Sequence, residues 1–284
     1  VDILGVDAAI LFSDILVPLE AMGLTLEFHE KVGPVFPDPV RDQQAVDRLN
    51  IPDPDEHLGF VMDTIRILRR ELATKVPLIG FAGAPFTLAT YLIEGGSSKF
   101  FYETKKMMFA EPQLYSDLLE KITECTSLYL QAQARAGAQA LQIFDSWAGV
   151  LAPGDYERFA LPYVKRIIAD LKDTGVPIIY FANNGATLLD LSKTSGADVL
   201  GLDWRLDIGK AIQQIGPGIA VQGNMDPVAL LLPEKEMRER VARILEGAGQ
   251  AHGHIFNLGH GIHQFTPPSQ AKIFIDAVHE LSRK

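Results

Sequence analysis

Seven short apolar runs recur along the chain, and each is followed by a segment of helical period: Asp7–Ser13, Pro77–Ala82, Ala140–Phe144, Pro177–Phe181, Val199–Leu202, Ile219–Gln222 and His254–Leu258. Strands that pair in the same direction need a long crossover between them, so this alternation predicts a parallel sheet with helical returns. The clearest return is Pro112–Gly137. There Leu114, Leu118, Ile122, Cys125, Tyr129, Ala132 and Ala136 step by three and four along one face, and a glycine stops the helix. Asp155–Gly175, Thr187–Gly196, Pro233–Gly247 and Pro268–Lys284 read as further helices, while Gly33–Pro54 reads as a Pro- and Asp-rich excursion. No linker or shift in composition divides residues 1–284, which predicts one domain.

A parallel sheet with helical returns can be doubly wound or closed into a barrel. The polar residues favour the barrel. Nearly every run ends at its C-terminal side in a polar or glycine-rich cluster: Ser13-Asp14, Gly83-Ala84-Pro85, Asp145-Ser146, Asn183-Asn184, Asp203-Trp204, Gly223-Asn224 and Gly259-His260. In a (β/α)8 barrel these ends converge on one mouth, whereas a doubly wound sheet gathers its site at one switch point. The expected fold is therefore an α/β, TIM-type (β/α)8 barrel with seven βα units visible. Neither Gly83-Ala84-Pro85 nor Glu94-Gly95-Gly96-Ser97-Ser98 has the spacing of a nucleotide-binding loop.

Charge narrows the partners. With 26 basic and 36 acidic residues the chain carries −10, and no Lys/Arg run could track a phosphate backbone, so nucleic acid is not expected. Runs such as Ala8-Ala9-Ile10-Leu11-Phe12 fall short of the ~20 residues that span a bilayer, and a signal-peptide layout is lacking. A cytoplasmic protein without membrane contact fits. One cysteine, Cys125, cannot make an internal disulfide or a multi-thiolate metal site.

At the strand ends the sequence resembles the uroporphyrinogen decarboxylase family. The motifs are Phe12-Ser13-Asp14-Ile15-Leu16, Gly80–Leu88 with Tyr91 and Glu94-Gly95-Gly96, and Phe144-Asp145-Ser146-Trp147-Ala148-Gly149, then Leu202-Asp203-Trp204, Gln222–Pro227 and Asn257-Leu258-Gly259-His260-Gly261. The resemblance implies a (β/α)8 barrel, a homodimer with facing clefts, and cofactor-independent loss of carbon dioxide from the four acetates of uroporphyrinogen III, giving coproporphyrinogen III in haem biosynthesis. In the family an Arg-Gln-Ala-Gly-Arg stretch ends the first strand, and its two arginines bind substrate carboxylates. By position it would lie upstream of Val1, so the resemblance implies that the first strand segment is missing from residues 1–284 and that a chain beginning at Val1 binds substrate weakly.

Four residues carry the expected site, each against a plainer reading. Asp14 is by type a helix cap, and the resemblance makes it the cleft carboxylate that accepts pyrrole N–H groups. Tyr91 sits amid Leu88, Leu92 and Ile93 like a core tyrosine; the resemblance places its hydroxyl in the cleft, holding a carboxylate or supporting Asp14. Ser146 reads as a turn residue, and by resemblance it binds a propionate or acetate. His260, between two glycines, is either structural or, by resemblance, a carboxylate contact.

His252 and His254 invite a metal reading that lacks further ligands, so no metal is expected. Cys125 reads as a small buried hydrophobe. Asp145, Asn183, Asn184 and Asp203 line the mouth or serve as caps and turns. Two other functions stay open: a corrinoid-dependent methyltransferase of the same superfamily, which needs a His/Cys zinc site, and a tetrapyrrole-binding protein without catalysis.

Overall fold

A computed structural model describes residues 1–30 and 32–283. Every one of the seven apolar runs falls on a strand of a single parallel sheet, with four of the strands running one to three residues past the expected end. The strands in chain order are β1 (Ala9–Ile10), β2 (Glu27–His29), β3 (Gly33–Val35), β4 (Leu78–Gly83), β5 (Ala140–Asp145), β6 (Ile178–Ala182), β7 (Val199–Gly201), β8 (Ala220–Met225) and β9 (His254–Leu258). β2 and β3 form a separate antiparallel hairpin, and the other seven pair in the order β1-β4-β5-β6-β7-β8-β9. That order never reverses, so the sheet has no switch point and winds one way, as barrel strands do. Its registers, such as Gly83 with Phe144, Asp145 with Ala182 and Asn224 with Asn257, bring the strand ends to one rim.

Side-chain alternation then sorts the two faces. Leu141, Ile143 and Tyr180 pack outward under the helices, while Phe81, Phe144 and Phe181 point inward and touch ring to ring. Gln142 and Gln222 meet across the interior, Nε2 of the second donating to Oε1 of the first at 3.3 Å. The long helix Pro112–Ala136 buries Leu118, Leu119 and Ile122 against this layer and ends at Gly137, whose φ of 116° suits a residue without a Cβ. Near its end Gln133 acts as a piece of backbone. Its side chain accepts from Phe81 N at 2.9 Å and donates to Phe81 O at 2.8 Å, completing β4 where the two-residue β1 has already turned away. Gly80 is required beside it, since a Cβ there would overlap the Gln133 carbonyl oxygen.

Among the described residues the sheet is not closed: β1 pairs with β4 alone and β9 with β8 alone, and Ile10, Ile255 and, just past β1, Phe12 are exposed. The final helix, Pro268–Ser282, reaches from β9 towards β1, where His279 Nε2 lies 2.9 Å from Asp7 Oδ2. The arrangement is seven strands of an eight-stranded barrel type.

Helix boundaries differ from expectation at three places. Asp155–Gly175 is two helices, Pro153–Phe159 and Leu161–Asp170, because Pro162 has no N–H for the Arg158 carbonyl. Thr187–Gly196 shortens to a tight turn, Gly185–Leu188, and the helix Leu189–Ser192. The excursion Gly33–Pro54 contains β3 and the helix Gln43–Arg48, capped by Asp42 accepting from Ala45 N at 2.8 Å. Lys284, included in the last expected helix, lies outside the described residues.

Candidate active site

The rim is built from loops that each leave a strand and enter a helix. After β1 the chain turns at once, and Asp14 closes that turn by accepting Leu16 N at 2.8 Å through Oδ1. Asp14 is not the helix cap expected from its type: the N-cap of Val17–Ala21 is Leu16, without a side-chain cap bond, and Asp14 instead closes the turn before it, which occupies one oxygen. Asp14 is exposed, and its Oδ2 has no hydrogen-bond partner among the described residues. Next to it stands Tyr91, half-buried on the helix Pro85–Glu94. Burial raises its phenol pKa first, and the nearby Asp14 carboxylate adds to the rise, while a hydrogen bond with Trp147 opposes both. Tyr91 therefore stays a neutral O–H donor. Its ring lies 6.2 Å from that of Trp147, which packs on Phe101 at 5.3 Å.

Trp147 directly follows Ser146, so the loop after β5 joins the Asp14–Tyr91 side to the rest of the rim. Ser146 is half-buried, and its backbone carbonyl accepts Asn183 Nδ2 at 3.3 Å. Asn183 Oδ1 is buried without a partner among the described residues, a polar atom that a ligand donor would satisfy. His260, exposed on the far side, touches Phe181 at 6.5 Å and Trp204 at 6.1 Å between ring centroids. β6 and β9 are separated by two strands in the sheet, so the first of these contacts crosses the interior. The His260 imidazolium is disfavoured, first by partial burial of the ring and then by the charge of Arg205, with Asp203 opposing. It is a neutral imidazole near pH 7.

Asp145 does not line the mouth. Period-two alternation turns it outward, where it is fully buried and accepts Thr87 Oγ1 at 2.7 Å and Tyr180 OH at 2.9 Å. Tyr180 continues to Tyr156 at 2.9 Å, and Tyr156 to Ser192 at 3.3 Å. Burial pushes the Asp145 carboxyl up to about 6, against the pull of its two hydroxyl donors. Thr87 also receives Trp147 N at 3.2 Å, so this buried chain sets the height of the Ser146–Trp147 loop. Asp203 is likewise buried and structural. Its carboxylate accepts Gly185 N and Arg205 N, at 3.2 and 2.8 Å.

His254 does not reach the mouth either. Its Nε2 donates to Gly223 O at 2.7 Å, and burial of the ring lowers its pKa. Cys125 is buried on its helix, and burial, reinforced by Glu124, pushes its thiol up to about 12, so it is no thiolate at neutral pH.

The aromatic floor was not foreseen in the sequence. Phe81, Phe144, Phe181, His260 and Trp204 form a continuous series of ring contacts beneath the rim. Such a floor suits a broad, flat, partly apolar ligand, with polar and titratable groups around it.

The sequence model of the uroporphyrinogen decarboxylase family matches residues 1–281. The chain belongs to this family. It is 70% identical over 284 residues to uroporphyrinogen decarboxylase of Desulfotalea psychrophila, covering 100% of this chain and 83% of that protein. It is 53% identical over 279 residues to uroporphyrinogen decarboxylase of Carboxydothermus hydrogenoformans, covering 98% of this chain and 80% of the relative. Among solved structures, a methyltransferase from Methanosarcina mazei superposes with a TM-score of 0.85 at 20% identity, covering 99% of this chain and 82% of that one. At that identity the likeness is one of fold. Within the uroporphyrinogen decarboxylase family, then, this chain brings Asp14 beside Tyr91, links Tyr91 through Trp147 to the Ser146 loop, and sets His260 across the aromatic floor.

Proposed function

We propose that the protein decarboxylates the four acetate side chains of uroporphyrinogen III to methyl groups, giving coproporphyrinogen III and carbon dioxide in haem biosynthesis. The observation that carries the reading is the pairing of an open carboxylate, Asp14, with the neutral Tyr91 hydroxyl above an aromatic floor, in a chain of the uroporphyrinogen decarboxylase family. The macrocycle rests on the floor, and Asp14 Oδ2 accepts pyrrole N–H groups. Protonation of a pyrrole carbon makes that ring cationic, and the fixed carboxylate stabilises the charge as it develops. The bond from the acetate methylene to its carboxylate then breaks. Its electron pair enters the ring and neutralises it, carbon dioxide leaves, a proton joins the methylene to give methyl, and the added ring proton departs. The pyrrole itself is the electron sink. Tyr91, Ser146 and His260 hold side-chain carboxylates, and the buried Asp145 chain keeps the Ser146 loop in place.

The corrinoid methyltransferase reading finds little support in the side chains, since it needs a zinc-held thiolate and Cys125 is a buried thiol. Among the described residues no helix is long and apolar enough to cross a membrane, which agrees with the proposed cytoplasmic location. We also propose one barrel domain acting as a homodimer, for which sedimentation is the test.

Anaerobic incubation of chelator-treated protein with reduced substrate, followed by chromatography, tests the activity. Stepwise loss of four carboxyl groups is the expected result. Binding without loss would leave the tetrapyrrole-binding reading, and loss only after zinc or a corrinoid is added would favour the methyltransferase superfamily.

A further inference from the structure

We propose that Arg205 is a substrate-binding residue that captures a carboxylate at the rim; this rests on the decarboxylase reading. The segments joining each strand of the main sheet to its following helix hold Asp14, Asp203, Asp207 and Asp226, and Arg205 is the one lysine or arginine among them. A ligand with eight carboxylates entering a chain of charge −10 needs a permanent cation at that rim.

Arg205 is also held unusually firmly for an exposed side chain. Its guanidinium carbon lies over the Trp204 ring, 3.8 Å from the ring centre, and its NH1 lies 3.4 Å from the buried Asp203 carboxylate. The turn that carries it is fixed from three strand ends. Gly185 N after β6 binds Asp203, Asn224 Nδ2 at β8 donates to Asp203 O and Leu206 O at 3.0 and 2.8 Å, and Gly259 after β9 packs so closely that a Cβ would overlap Trp204 N.

The same Trp204 ring meets His260 on another side, so Arg205 and His260 flank one indole. Asp203 takes one edge of the guanidinium, and the remaining N–H donors are free to form a fork with a carboxylate. Because the side chain is ordered before the ligand arrives, little conformational entropy is lost on capture. A guanidinium whose only task was to pair with Asp203 would not need to lie over the indole. His260, close enough to Arg205 for the guanidinium charge to disfavour its imidazolium, adds a neutral imidazole to the same part of the rim.

The test compares the unsubstituted protein with Arg205→Gln and Arg205→Lys, by anaerobic titration with uroporphyrinogen and with coproporphyrinogen at two ionic strengths, and by turnover. Arg205 is exposed and Asp203 keeps its two backbone donors, so melting temperatures should fall by no more than about 4 °C. Arg205→Gln should weaken binding roughly tenfold or more and raise KM to match, with kcat changed by less than about threefold. Arg205→Lys should recover part of the loss, and added salt should narrow the gap. A loss shared by both ligands assigns the contact to a propionate, and a loss confined to uroporphyrinogen to an acetate. Equal affinities, or a fall in kcat at unchanged KM, would overturn the proposal. If the unsubstituted protein binds but releases no carbon dioxide, the decarboxylase reading falls while the titration still decides Arg205. If it binds neither ligand, both readings fail.

Discussion

Two aspartates follow strands of the same sheet and have opposite fates. Asp14 leaves β1 on the open rim, spends one oxygen on Leu16 N and has no partner for the other among the described residues. Asp145 ends β5 facing the helix layer, where both oxygens are taken by hydroxyl donors and water is excluded. The difference teaches that position at a strand end is not enough to make a residue chemical. Period-two alternation decides which side of the sheet it faces, and burial then decides whether its charge is available or a cost. The rim works because the layer beneath it is fixed: Thr87 binds Asp145 with its proton and Trp147 N with its oxygen.

The sharpest way to break this comparison is Asp14→Asn. The amide keeps an acceptor for Leu16 N, so the melting temperature should hold within about the effect of a neutral surface change. Turnover should fall about 10²–10³-fold, the usual cost of removing a charge that stabilises a transition state. Near-normal turnover would move Asp14 to a purely structural role, on a level with Asp145.

Asp145→Asn should do the reverse, altering the pH dependence of stability. The folded-state pKa of Asp145 is raised from 3.8 to about 6, so the native state favours the protonated form. Its contribution is fully present below the unfolded value and is lost as pH rises through the folded one. Between these two values the unsubstituted protein should lose about 3 kcal/mol of stability that the asparagine variant keeps. Parallel denaturant midpoints from pH 3.5 to 7 would instead show that the carboxylate is as well solvated as in the unfolded chain.

Ser146→Ala should have the smallest effect. With one neutral hydrogen bond removed, about 0.5–1.5 kcal/mol should appear in substrate binding and little in stability, because the loop is held by its backbone carbonyl and by Trp147 N. A large drop in melting temperature would show that the hydroxyl belongs to the buried layer after all.

Much of this was legible in the sequence. Each of the seven strands was marked by an apolar run followed by a polar cluster, because a barrel strand is buried along its length and functional at its end. The same continuity hid which face each residue takes. In Leu141-Gln142-Ile143-Phe144-Asp145 the two polar residues fall on opposite faces and give no alternation to read, so Phe144 as floor and Asp145 as buried support emerged only from the structure. A weak signal was present: Phe81, Phe144 and Phe181 each lie one or two residues before a polar or glycine-rich cluster. The hairpin of β2 and β3 escaped because three-residue strands leave no periodicity. Asp203 was readable as a turn residue beside Arg205, but its bond from Gly185 N escaped because that partner comes from another strand end.

The Gln133 bracket on β4 makes the Phe81 amide a reporter. A backbone amide held by a neighbouring strand exchanges with solvent when the sheet opens, but this one is held by a helix side chain and should exchange when the helix Pro112–Ala136 lifts from the sheet. Its protection factor therefore measures the docking of a single helix, at a point on the strand that runs up to Gly83 and the rim. Ligand that quiets the rim without tightening this helix would leave the Phe81 exchange rate unmoved, while ligand that stiffens the whole barrel would slow it.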